Sequence, residues 1–270
     1  MPRVRDPASW VGSSPGGIFA MGERTVVLGG VPTRLVDQGS GPVVVLVHAT
    51  PFDLDYWSGL ALALHGTRRV VRYDLPGHGA AADAPVPPTA CMVRDLVELL
   101  DLLEVPAAHV VGHSLGAVVG QRFALDHPDR TRRLSLLAPR ASPSPLFANL
   151  SEALRRDTAV ADVSITRWFT PAQLARNGSA VQYARTRVES TPVLSWADGL
   201  ARVAEVDDLA ELPRLTMPAE VVVGEDDHGA KPEHGRAMAD AIPTASFHLV
   251  PRARSLLALE HPEVVAPLVR

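Results

Sequence analysis

The chain has 270 residues, 46% of them hydrophobic and 21% charged, with a formal net charge of −4. That balance is enough for one large globular core and excludes the basic footprint of a nucleic-acid binder. Cys91 is the only cysteine, so an intrachain disulfide is excluded as well.

Residues 1–20 are rich in Pro, Gly and Ser and are expected to be a flexible segment, with the patterned chain opening at Met21. "MPRVRDPASWVGSSPGGIF" lacks the apolar core of a signal peptide, and no stretch approaches the roughly 20 apolar residues needed to span a bilayer. The expected location is therefore cytoplasmic, with no membrane or nucleic-acid partner. "RTVVL" and "TRLVDQ" form a predicted hairpin around Gly29-Gly30. "PVVVLV" (42–47) is an unbroken apolar run, as for a strand buried on both faces of a parallel sheet. "RRVVRYD" (68–74) is the next strand. From Thr89 to Glu104 the apolar residues follow helical spacing, with Thr89 as the expected N-cap. Strand "AHVVG" (108–112), helix 115–127 and strand "RRLSLLAP" (132–139) follow. After a long interval come strand 219–225, a helix over 232–241 and strand 245–251.

This alternation predicts an α/β fold, a doubly wound, mostly parallel sheet whose ligands bind at the carboxyl ends of the strands. The interval 140–217 breaks it with helical patches ("LSEALRRD", "TPAQLARNG", "SWADGLARVAEV") and is read as a helical cap inserted after the sixth strand. The core is then 21–139 together with 218–270.

"HVVGHSLGAVVG" places Ser114 in Gly112-His113-Ser114-Leu115-Gly116. A serine nucleophile needs an exposed Oγ, a base, and donors for the developing oxyanion. A tight strand-to-helix turn supplies the first and last, and glycines two before and two after the serine remove colliding side chains. A structural glycine-rich turn would give the same letters. The apolar strand before and the small-residue helix after favour the nucleophile.

With these residues the chain resembles the α/β-hydrolase superfamily over 25–269. "LVHATPFDLDYW" (46–57) is similar to its H-G-x loop, "YDLPGHG" (73–79) to its D-x-x-G-x-G turn, and "VVVGEDDHGAKPEHGRAM" (221–238) to its G-x-x-D acid loop. "RWFTPAQLARNG" and "PEHGRAM" are similar, more narrowly, to 3-oxoadipate enol-lactonases and related esterases. The resemblance implies an α/β-hydrolase fold, backbone donors at Leu115 and Thr50 for the oxyanion hole, and Asp227 as the catalytic acid, chosen over its neighbours Glu225 and Asp226. His48 would pack beneath its loop, and Ala49 stands where the family has glycine.

The family's last strand leads into P-G-x-G-H. Here the frame reads Pro251-Arg252-Ala253-Arg254-Ser255, followed by Leu256-Leu257 and Glu260-His261-Pro262-Glu263. The two glycine positions carry arginines, and Ser255 holds the position of the missing histidine. A serine near its ordinary pKa cannot serve as general base at neutral pH. Of ten histidines, His113 should point away from Ser114, and His228, next to Asp227, is the best substitute base.

Three readings remain open. The first is acyl transfer through Ser114 from an activated ester or thioester, with an incomplete Ser-Asp triad. Arg252 and Arg254 would then suit an acidic acyl carrier protein as partner. The second is an ester, lactone or thioester hydrolase with His228 as base, and the third a non-catalytic ligand-binding protein. Trp168, Phe169, Tyr183 and Trp196 are the expected substrate-lining residues. No metal or organic cofactor motif is present.

Overall fold

The computed structural model describes residues 22–270, so the expected flexible segment and Met21 lie outside the described residues. Eight strands form one sheet: β1 (Gly22–Leu28), β2 (Val31–Gln38), β3 (Val43–Val47), β4 (Arg69–Tyr73), β5 (Ala108–His113), β6 (Thr131–Leu137), β7 (Ala219–Gly224) and β8 (Ala245–Val250). The spatial order is β1-β2-β4-β3-β5-β6-β7-β8. β1 and β2 form the predicted hairpin, with Leu28 opposite Val31, and β2 pairs antiparallel with β4. From β4 to β8 every pairing is parallel. The strand order reverses beside β3, and β5 brings Ser114 to the sheet's carboxyl edge.

The helices of the core are α1 (Ser58–Leu64), α2 (Thr89–Leu102) and α3 (Leu115–Asp126). Between β6 and β7 stand five more: α4 (Pro145–Arg156), α5 (Ala159–Trp168), α6 (Pro171–Arg176), α7 (Ser179–Ser190) and α8 (Val193–Glu205). The chain closes with α9 (Pro232–Ala241), α10 (Leu257–Glu260) and α11 (Pro262–Val269). Apolar residues on the two faces of the sheet pack into two cores. One holds Val45, Val110 and Leu134 with α2 and α3; the other holds Val44, Val111 and Val222 with α1 and α11. A third, smaller cluster of Leu154, Trp196 and Leu200 sits within the inserted helices.

Thr89 is the first residue of α2 and makes no capping hydrogen bond; Pro88 occupies the cap position. Proline's fixed φ sets the entry into the helix there, so the threonine hydroxyl is not needed. None of the described helices is long and apolar enough to cross a membrane.

Among the described residues, several polar contacts bind the inserted helices to the core. Asp53, in the loop after β3, accepts hydrogen bonds from Tyr183 Oη (2.7 Å) and Arg187 Nη1 (2.5 Å) of α7. Thr191 Oγ1 donates to Pro51 O at 2.7 Å. Arg254 Nη1 donates to Thr166 O (2.7 Å) and Phe169 O (2.9 Å), two carbonyls at the carboxyl end of α5. A guanidinium is well matched to the orphan carbonyls and negative dipole of a helix end.

Candidate active site

Ser114 links β5 to α3 with φ 50° and ψ −108°. A non-glycine residue held in a sparsely populated φ/ψ region costs about 1–3 kcal/mol, and such strain clusters at functional sites. The turn is held by Ser114 N–H donating to Leu137 O at 3.0 Å, and by Val118 N–H donating to Ser114 O at 3.0 Å. A Cβ on Gly112 would stand 2.2 Å from Gly116 O, and one on Gly116 only 2.0 Å from Val47 O. Both glycines are therefore dictated by backbone approaching backbone.

The expected oxyanion donors are the amides of Thr50 and Leu115. Neither donates to a protein acceptor among the described residues. Thr50 Oγ1 is engaged with His78 Nε2 at 2.8 Å, and His78 Nδ1 donates to Pro76 O at 3.0 Å. Together these fix the threonine side chain and leave its amide free. His48 is wholly buried beneath this loop: Nδ1 donates to Ala49 O, and Nε2 accepts from Leu75 N–H, each at 2.9 Å. Burial pushes its pKa down, so it is a neutral brace.

The acid loop and the Ser255 loop are knitted together. Glu225 N–H donates to Val250 O (3.0 Å), Asp226 N–H to Ala253 O (2.9 Å) and Arg252 N–H to Glu225 Oε2 (2.9 Å). Gly224 is packed so closely that a Cβ would stand 2.2 Å from Arg254 O. Of the three consecutive acids, Glu225 and Asp226 are exposed, whereas Asp227 is 4% exposed and lines the cavity. Its Oδ1 accepts from Gly229 N–H (2.8 Å) and Ala230 N–H (3.0 Å); Oδ2 is buried and accepts no hydrogen bond. Burial raises the Asp227 pKa, opposed by those two amides and by the nearby Ser255 hydroxyl.

Ser114, Asp227 and Ser255 share the walls of one cavity of about 150 Å³, otherwise largely apolar. Trp168 and Trp196, two of the aromatic residues named from sequence, are in its wall. Tyr183 and Phe169 do not. The Tyr183 hydroxyl is bonded to Asp53 and its ring stacks on Phe52, while Phe169 is fully buried in the core packing. Phe52, Phe147, Leu150 and Arg167 are wall residues that sequence patterning did not single out. Arg167 turns its Nη2 onto the buried Ser164 Oγ at 2.5 Å and meets no carboxylate among the described residues. Burial lowers its pKa.

Two imidazoles reach this wall, His113 and His228. His113 was expected to point away. Its ring does contribute to the wall, but it stacks on Tyr56 (centroids 4.9 Å apart); the Ser255 backbone lies beside it, and neither nitrogen has a partner in good hydrogen-bond geometry. Burial pushes its pKa down to about 3, too low for a useful base at neutral pH. His228 is exposed and bonds neither Ser114 nor Asp227 among the described residues. Arg254, expected as a free rim cation, is committed to the inserted helices, leaving Arg252 exposed beside it.

The same seam carries a titrating group. Burial pushes Glu260 up to about 7, opposed by the Gln173 side-chain amide, which donates to Oε1, and by Arg254. A carboxyl raised in the folded state destabilises that state as pH climbs from the ordinary value of 4.5 towards 7, because the unfolded chain has already lost the proton. Glu260→Gln keeps the acceptor for Gln173 without the charge. Its melting temperature should gain on that of the parent as pH rises through this window, then hold a constant lead. A difference independent of pH contradicts this assignment.

Residues 44–268 match the alpha/beta hydrolase family. The chain is 24% identical over 232 residues to 3-oxoadipate enol-lactonase 2 of Acinetobacter baylyi, covering 84% of this chain and 86% of that one. It is 29% identical over 270 residues to polyketide synthase ThaQ of Burkholderia thailandensis, covering 94% of this chain but 13% of that protein. Among solved structures, a hydrolase from Pseudomonas aeruginosa PA01 superposes with a TM-score of 0.82 at 31% identity, covering 93% of this chain and 97% of that one. By sequence match and by fold, the chain belongs to the alpha/beta hydrolase family.

Proposed function

We propose that this enzyme acylates Ser114 from an activated ester or thioester and passes the acyl group to an acceptor other than bulk water, with a Ser-Asp pair in place of a complete triad. The observation that carries this is the cavity wall itself: it holds a nucleophile, a buried acid and Ser255, with no imidazole hydrogen-bonded to Ser114. A thioester is electrophilic enough for a hydroxyl nucleophile to need less proton transfer at attack. The missing base then slows the hydrolysis that would otherwise discharge the acyl-enzyme. Free amides at Thr50 and Leu115 keep the oxyanion term, worth about 2.7–4 kcal/mol per donor. Similarity to a segment of a polyketide synthase supports an acyl substrate. The unpaired Arg167 guanidinium supports an acyl chain ending in a carboxylate.

Intact-mass measurement after incubation with succinyl and butyryl thioesters tests this. We expect an adduct that is absent in Ser114→Ala and persists in water. Succinyl should be preferred, and Arg167→Gln should erase that preference. Fast turnover with no adduct, lost in His228→Gln, establishes instead a hydrolase with His228 as base. No adduct and no turnover, with ligand binding retained, reduces the protein to a binder.

A further inference from the structure

The place a histidine would fill is lined by groups that still need its partner. Asp227 Oδ2 is buried and accepts no hydrogen bond, although the residue as a whole is 4% exposed and faces the cavity. A buried acceptor left without a donor is costly, and more so when it is charged. The Ser255 hydroxyl lies beside the Asp227 carboxyl and favours its charged form as a weak hydrogen bond would, but no donor meets Oδ2 in good hydrogen-bond geometry. Backbone contacts hold the two loops in register, so the gap is not closed by collapse of one loop onto the other. The Oδ2 atom is thus an unmet acceptor beside the cavity that also holds the nucleophile. Its volume, about 150 Å³, is of a size that accepts benzene in an engineered apolar cavity, so a five-membered ring fits.

We propose that the ligand supplies the missing base: a substrate or acceptor bearing an imidazole or a neutral amine places that nitrogen between Ser114 and Asp227 and assists its own acyl transfer. This deepens the acyl-enzyme reading and rests on it. The nitrogen lone pair takes the Ser114 hydroxyl proton as Oγ forms its bond to the acyl carbon. The carbon–sulfur or carbon–oxygen bond then breaks, and the departing thiolate or alkoxide recovers that proton from the nitrogen. The nitrogen ends neutral, so no co-reactant is consumed. Throughout, an N–H on the same ligand donates to Asp227 Oδ2, which orients the base and stabilises its cationic form. Asp227 here is a positioning residue, and the nitrogen does the proton transfer.

Imidazole is the probe. Added to the unaltered protein with p-nitrophenyl acetate, it should raise the rate along a saturating curve to about 10²-fold, the low end of what a positioned general base contributes. With Ser114→Ala only the linear solution reaction should remain. 1-Methylimidazole has a comparable lone pair but no N–H for Oδ2, and should rescue at least tenfold less well. Ligand-observed NMR on Ser114→Ala should show saturable imidazole binding that Asp227→Asn removes. A strictly linear imidazole dependence, equal in protein with and without Ser114, overturns the proposal. So does equal rescue by 1-methylimidazole, or imidazole binding that survives Asp227→Asn. An acyl-Ser114 adduct formed without any imidazole effect sinks this inference alone. No adduct with or without imidazole, while saturable binding at Asp227 persists, sinks the acyl-enzyme reading and leaves the nitrogen site standing.

Discussion

Ser255→His with Arg254 retained hydrolyses p-nitrophenyl acetate about 10²–10⁴-fold faster than the unaltered chain, the span a positioned general base contributes. The loop around Ser255 is tied to the acid loop by backbone hydrogen bonds from Glu225 and Asp226 and by the close approach of Gly224 to Arg254 O, so the new side chain starts from a fixed Cα near Asp227. One imidazole nitrogen can donate to the unpartnered Oδ2, which sets the tautomer and leaves the other nitrogen as a base. Asp227 supplies this because its other oxygen is already held by Gly229 and Ala230. The double variant that also restores glycine at Arg254 is the informative comparison. It releases the clamp on Thr166 and Phe169, so its gain in kcat should come with a higher KM than in the single variant. Ser255→Asn, which cannot act as a base, should gain nothing. A folded Ser255→His protein, by circular dichroism, with no gain over the parent contradicts the missing-base account.

Much of this site was legible as letters in a row. The Gly112–Gly116 pattern, the strand before it and the helix after it marked Ser114 as the candidate nucleophile, and in the structure each of these glycines answers a local steric demand. The frame from Pro251 to Glu263 likewise made Ser255 stand out. The inserted helices were harder. α5 (AVADVSITRW) mixes β-branched and polar residues, and α7 (SAVQYARTRVES) is dense in Ser and Arg, so neither shows a clean apolar stripe. Tyr183 and Phe169 look identical to Trp168 and Trp196 as aromatic letters. Which ones face the cavity depends on partners far away in sequence, such as Asp53 for the Tyr183 hydroxyl. Arg254 could not be recognised as a clamp for the same reason: its acceptors are backbone carbonyls, which leave no mark on side-chain identity.

Gly116→Ala has the largest expected effect on folding, and it tests whether the nucleophile turn is held by backbone packing. The added methyl would stand 2.0 Å from Val47 O, 2.5 Å from Val47 C and 2.8 Å from His48 O. None of these atoms belongs to a flexible side chain. Val47 ends β3, which pairs with β4 on one side and β5 on the other. Relief therefore requires moving α3 off the sheet or breaking the ladder. Either movement costs more than about 4 kcal/mol, a large part of the roughly 5–15 kcal/mol that holds a typical domain together. The variant should fail to accumulate as folded protein, or unfold at a much lower urea concentration than the parent. Gly22→Ala is the matched control, since nothing among the described residues lies within 4 Å of its Cβ. Any folded remnant of Gly116→Ala should also lose acylation at Ser114, because shifting α3 carries the Leu115 amide away from where the oxyanion forms. A midpoint unchanged from the parent would show that the strand end and helix start are looser than their contacts imply. The φ of 50° at Ser114 would then owe little to the packing around it.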